Sequence, residues 1–288
     1  MLRRYIADQP TSRLAVWARR MALFSLAATV LAVIIVRSGL LEIWPSLATL
    51  AGALAFAVLA LLLAFAAFVV IWKDGLDGMG YALTAIAIGL ALIAYPAYLG
   101  IKTHRLPWIY DVTTDFIDPP RYEALARIRP RDANPIIYAG LSAAEQQQRA
   151  YPDIEPLEAD APPQAAYETA LAVITKRKWR IVDQRPPQPP RREGRIEAVA
   201  RTPIMGFRDD VVVRIRADED GSRIDVRSSS RYGTFDFGTN AARVRSLVDD
   251  IDDAIGNQKL ARPVAPSPKK PKAPPKSNQP ADPPSARR

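Results

Sequence analysis

The chain has 288 residues, no cysteine and a single histidine, His104. Without cysteine there is no disulfide, no thiolate nucleophile and no cysteine metal site. One histidine excludes a multi-histidine metal centre and, placed this early, a histidine-based triad inside the C-terminal part. A glycine-rich phosphate loop, a dinucleotide fingerprint and zinc-ligand spacing are also missing. These patterns lead us to expect no catalytic residue, no metal and no cofactor. Charge is missing from three stretches in the first hundred residues: Met21 to Val36, Ser46 to Ile71 and Met79 to Gly100.

What is present follows from those gaps. A bilayer core needs about 20 apolar residues in a helix. The second and third stretches meet that length alone. The first does so with its flanks, upstream through Leu14, Val16 and Trp17 or downstream to Leu40 and Leu41. The first also has a basic n-region, but no small-residue cleavage site precedes the second stretch, so a signal anchor is expected rather than a cleaved signal peptide. Trp17, Trp44, Trp72 and Trp108 fall near the stretch ends, where indoles favour the membrane interface. The connections are short, so neighbouring helices run antiparallel. An N-in arrangement puts Arg3, Arg4, Arg13, Arg19, Arg20 and Lys73 on the cytoplasmic side, against Arg37, Lys102 and Arg105 opposite. The large C-terminal part then lies outside the cytoplasm.

The net charge of +9 is not spread evenly. Five arginines oppose Asp8 in the first twenty residues, and eight basic residues oppose Asp282 in the last thirty-two. The remainder is nearly balanced, so a nucleic-acid partner is not indicated. The expected organisation is a basic cytoplasmic N-tail over 1–20, three transmembrane helices over 21–105, an α+β domain over 106–256 and a disordered tail over 257–288. The tail holds nine prolines and a run of lysines, with too few apolar residues to bury. It reads either as a solvated tail or as a tether to anionic lipid or cell-wall polymer. Small residues recur at four-residue spacing: Ala51 and Ala55, Ala53 and Ala57, Ala60 and Ala64, Ala85 and Gly89, Ala87 and Ala91. They suit packing within the bundle or a homo-oligomer interface.

In the C-terminal part, an irregular proline-rich segment comes first. Helices are predicted over Ser142 to Tyr151, Pro163 to Lys178 and Thr239 to Ile255. Strands are predicted over Trp179 to Asp183, Arg195 to Thr202, Val211 to Ala217 and Arg223 to Ser229. Val211, Val213 and Ile215 share one face of the third strand. Ile224 and Val226 point inward on the fourth, with Arg223, Asp225 and Arg227 outward. The Asp220–Gly221 pair turns the chain between them. The fold class is thus an N-terminal three-helix transmembrane region followed by an α+β domain, its antiparallel sheet covered by helices.

The most specific pattern is Arg227-Ser-Ser-Ser-Arg-Tyr-Gly-Thr-Phe-Asp-Phe-Gly-Thr-Asn-Ala-Ala-Arg243. A second lies just after the apolar region: Tyr110-Asp-Val-Thr-Thr-Asp115, followed by Pro119-Pro120. Together they resemble the bacterial and plastid family catalogued as domain of unknown function 1499. Members carry R-S-x-S-R-x-G, then D-x-G-x-N-A-x-R, with D-[IV]-T-T-D upstream. Tyr110 departs from a histidine often found there. The resemblance implies a membrane-attached envelope protein in bacteria and no known activity; with the orientation set by the basic flanks, the expected location is the inner membrane with a periplasmic C-terminal domain.

Two readings of the motif residues stand. In one, Asp236 or Thr239 caps the last helix, the glycines allow special backbone angles, and Arg231 ties strand-end carbonyls or Asp236. In the other, Ser228, Ser230, Arg231, Asp236, Asn240 and Arg243 converge on a phosphate or carboxylate at a helix N-terminus. Thr113, Thr114 and Asp115 divide the same way between local turns and a ligand site. The function expected is binding of a partner or small anionic ligand. An enzyme using Asp111, Asp115, Asp236 and Arg231 is the first alternative, and a purely structural membrane component is the second.

Overall fold

The computed structural model describes residues 9–39, 43–189 and 192–261. Arg3 and Arg4 of the expected N-tail lie outside the described residues, as do residues 262–288 of the tail expected over 257–288, whereas 257–261 are helical. Three helices come first: α1 (Arg13–Ser38), α2 (Ile43–Asp74) and α3 (Met79–Thr103). Each is long and apolar enough to cross a membrane. Helix α1 begins at Arg13, eight residues before the expected start. Ser12 accepts from the Ala15 N–H to cap it, and Gly39 closes it in the left-handed region at φ 68°. Arg19 then lies over the Tyr81 ring and Arg20 over the Trp17 ring, which places both cations beside aromatic faces near one end of the bundle. Helix α3 runs on through Pro96.

Alanine explains the bundle's close packing. Ala60 and Ala64 of α2 are buried against Ala18 and Ala22 of α1 and Ala85 of α3, and Ala53 and Ala57 of α2 are buried as well. A Cβ on Gly89 would lie 2.5 Å from Leu61. Three of the five small-residue pairs thus pack inside the bundle, while Ala51, Ala55, Ala87 and Ala91 face outward.

The α+β domain has β1 (Asp111–Thr113), α4 (Ala124–Ile128), α5 (Leu141–Ala150), β2 (Leu157–Ala159), α6 (Pro163–Lys176), β3 (Arg180–Arg185), β4 (Glu193–Arg201), β5 (Arg208–Asp218), β6 (Gly221–Ser230) and α7 (Thr239–Ala261). All six strands form one antiparallel sheet in the order β1-β6-β5-β4-β3, with β2 also on β6. Helices α6 and α7 cover one face. There Ile196, Val211, Val213, Ile215, Ile224 and Val226 meet Ile174, Val244, Leu247 and Ile251, all buried. Full burial of such a side chain contributes about 1.5–3 kcal/mol.

The opposite face differs from expectation. The segment 111–136 crosses it as a strap. Tyr122 and Leu125 pack on Val199 and Val212, and Asp225 and Arg227, expected outward, are buried at 0% and 2% exposure. Alternation correctly separated the two faces, but the second face is covered because the strap brings carboxylates that match its arginines. The Asp220–Gly221 turn also has another physical basis. Gly221 does not adopt a positive φ; a Cβ there would sit 2.2 Å from the Ala159 carbonyl oxygen. Glycine lets β2 close against the hairpin end.

Candidate functional site

The two sequence motifs meet in the sheet. Strand β1 pairs with β6 in the register Asp111–Ser229, Val112–Ser228 and Thr113–Arg227. Every predicted site residue is then engaged within the domain. Thr114 Oγ1 accepts from Val226 N–H at 2.9 Å. Thr113 exchanges two backbone bonds with the Gln147 amide of α5, at 3.0 and 2.7 Å. Asp115 Oδ1 accepts from the N–H groups of Ile117 and Asp118, both at 3.0 Å. Its Oδ2 faces Arg214, Arg216 and Arg223 at 3.2–3.5 Å. Burial works against the Asp115 charge, but those bonds and arginines outweigh it and hold its pKa below the ordinary carboxylate range.

At the other motif, Asp236 accepts from Gly238 N–H and Asn240 N–H, both at 2.8 Å, and so caps α7. Burial nevertheless pushes its pKa up. Asn240 donates to Tyr110 O and Ser230 Oγ, each at 2.9 Å, and accepts from Ser228 Oγ at 2.8 Å. Arg243 donates to Ser228 Oγ at 2.9 Å and to Asp209 at 2.5 Å. Arg231 holds Asp210, with Nε at 2.9 Å and Nη2 at 2.7 Å. Its carboxylate is therefore Asp210, not Asp236. Asp210 also takes Arg129 at 3.2 Å.

Sequence reading missed the centre of this layer. Arg227 grips Asp111 through two nitrogens, at 3.0 and 2.6 Å, and donates to Pro120 O and Ile136 O. Tyr122 and Tyr138 offer it their ring faces. Burial alone would lower the Arg227 pKa, but Asp111 more than restores it. Glu197, fully buried in β4, accepts from the N–H groups of Glu123 and Leu125 at 2.8 Å and fixes the start of α4. Asp111, Asp115 and Asp118 on one short strap were the available signal: closely spaced acids that need cations.

A family model described as a protein of unknown function (DUF1499) matches residues 111–251, from the first residue of β1 into α7. Over those residues the α+β domain is similar to this family. No curated protein and no solved structure matches the chain. The DUF1499 match contains both motifs and the whole ionic layer, and it excludes the three apolar helices.

Beside that layer lies a second group of cations. A cavity of about 280 Å³ is lined by Arg177, Lys178, Trp179, Arg180, Arg201 and Arg208, with Val199 and no carboxylate. Arg177 leans on Asp250 of α7 at 2.6 Å. Lys178, Arg180, Arg201 and Arg208 have no carboxylate partner among the described residues. Cross-strand register brings Arg201 opposite Arg208. Burial lowers the Arg208 pKa, and Arg201, Arg231 and Arg180 lower it further. Lys178 holds φ 57°, in the left-handed region that residues with a Cβ avoid. None of these residues stands in the sequence motifs.

Proposed function

We propose that the chain is a multi-pass protein of the bacterial inner membrane whose periplasmic DUF1499 domain binds an anionic ligand without turning it over. The cationic cavity carries this reading. Like charges held together repel, and anion binding relieves that repulsion. The motif residues act as its frame. Arg231 and Arg243 hold Asp210 and Asp209, next to Arg208 in β5, and Arg231 N–H donates to Arg208 O. Ser228, Ser230, Asn240 and Asp236 tie β6 to the start of α7, while Thr113, Thr114 and Asp115 hold the strap. Asp111, Asp115, Asp236 and Arg231 are each bound within this frame, which argues against their use as acid, base and anion holder.

The test uses the full chain in neutral detergent. Pyrophosphate should raise its melting temperature with saturation, and Arg180→Gln with Arg201→Gln should abolish the rise. No rise, or an equal rise in the double variant, rejects the reading. The orientation rests on the basic flanks of the helices. Alkaline phosphatase fused after Gly256 should be active, and an inactive fusion places the domain in the cytoplasm.

A further inference from the structure

A larger cavity of about 400 Å³ adjoins the cationic one. Its size falls within the roughly 300–1,000 Å³ of small-molecule sites. Its walls come from both halves of the chain: Trp44 and Leu47 at the start of α2, Tyr98 and Leu99 near the end of α3, and Ile204 and Met205 in the β4–β5 loop. These helix ends sit on the side that carries the domain. The loop is seated there by Arg37 of α1, which donates to Pro203 O and Ile204 O at 2.5 and 2.8 Å. Lys102 of α3 donates to Phe237 O at 3.0 Å on another wall. The cavity is therefore mostly apolar, with Asp209 and Asp236 on its domain-side wall, aromatic-rimmed and placed where spanning helices meet the membrane surface.

One residue belongs to both cavities. Arg208 lines the apolar cavity and the cationic one. Its guanidinium rests against Gly39 at the carbonyl end of α1, where an added Cβ would lie 2.5 Å from it. Arg201 reaches the Arg37 carbonyl beside it. Those carbonyls offset part of the positive charge at Arg201 and Arg208. Lys178 and Arg180 have no such contact. An apolar space at the bilayer level therefore leads, past one arginine, to unpaired cations outside it.

We infer that this seam binds a phosphate-bearing membrane lipid, with a hydrocarbon chain in the apolar cavity and the phosphate on Arg180, Arg201 and Arg208. The inference rests on the anion-binding reading above and adds the chain. A free anion has no use for the apolar cavity. A neutral lipid has no use for the cations. A lipid phosphate uses both, and it reaches the site from the bilayer without leaving it.

The experiment uses the full chain in neutral detergent with two probes, glycerol 3-phosphate and dioleoylphosphatidylglycerol. The lipid should bind at least about tenfold more tightly, the factor worth 1.4 kcal/mol. Leu47→Trp fills the apolar cavity. Ile204→Asp, at a position 45% exposed in the loop, makes it hostile to hydrocarbon. Each should remove the lipid's advantage and leave glycerol 3-phosphate affinity unchanged. Arg180→Gln with Arg201→Gln should weaken both probes. If both probes bind equally and Ile204→Asp changes neither, the chain inference fails and the anion site stands. If neither probe depends on the arginines, the anion site fails as well. Retention of the wild-type melting temperature by at least one cavity variant shows that the comparison concerns binding and not folding.

Discussion

Arg214, Arg227, Arg231 and Arg243 each hold a carboxylate at 2.5–2.9 Å, whereas Arg180, Arg201 and Arg208 of the sheet hold none among the described residues. The first set is buried under the strap or at the start of α7. The second lies at the β3–β4–β5 end, beside the helical bundle. A buried arginine without its acid is costly, so the paired set supports the fold. A clustered arginine without an acid has its charge only partly met by backbone carbonyls, which leaves it suited to a ligand. On the proposed reading the same residue type does two jobs, and the partner within reach decides which.

The sharpest way to break that contrast is to remove one member of each set. Arg227→Met should destabilise the domain by about 3–5 kcal/mol, because it strands Asp111 in a buried site. Arg180→Gln should change stability by less than about 0.5 kcal/mol, as surface substitutions do. Hydrogen exchange of the β4 to β6 amides in the full chain measures both. Equal losses would erase the distinction.

Acid sharpens it next. The folded-state pKa of Asp115 is depressed, so its stabilisation is complete above the unfolded carboxylate value of about 3.9. It is lost as pH falls through the lower folded value. Asp115→Asn should flatten that acid limb, whereas Arg180→Gln should leave it in place. Melting curves across the acid range read the difference.

A third, modest effect has the opposite sign. Lys178 follows the last turn of α6 in the left-handed region, where glycine is at ease. Lys178→Gly should stabilise the empty protein by about 1 kcal/mol and weaken pyrophosphate binding. A stability gain with unchanged binding would show that the lysine belongs to neither set.

The architecture was readable in part. The apolar runs marked three helices, and alternation in β5 and β6 correctly placed Val211, Val213, Ile215, Ile224 and Val226 on the helix-covered face. Asp225 and Arg227 were misread because a period of two tells faces apart but does not say what covers them. The cover came from residues 111–136, whose short β1 and α4 have too few turns or alternations to register. The family motifs pointed to residues that cap, clamp and tie. The unpaired cations escaped notice because Lys178, Arg180, Arg201 and Arg208 are spread along the chain, and only the hairpin register gathers them. Likewise, the apolar cavity is made by two halves of the chain that sequence reading treated separately.

Strand β1 begins eight residues after α3 ends, and it lies antiparallel to β6 with Asp111 locked onto Arg227. A pull or tilt of that helix is therefore loaded lengthwise along the β1–β6 ladder, where hydrogen bonds share a shearing force. The domain is mechanically wired to the third helix at its sheet rather than hung from a loose tether. Movement of that helix reaches the ionic layer directly, through a handful of backbone bonds and one arginine.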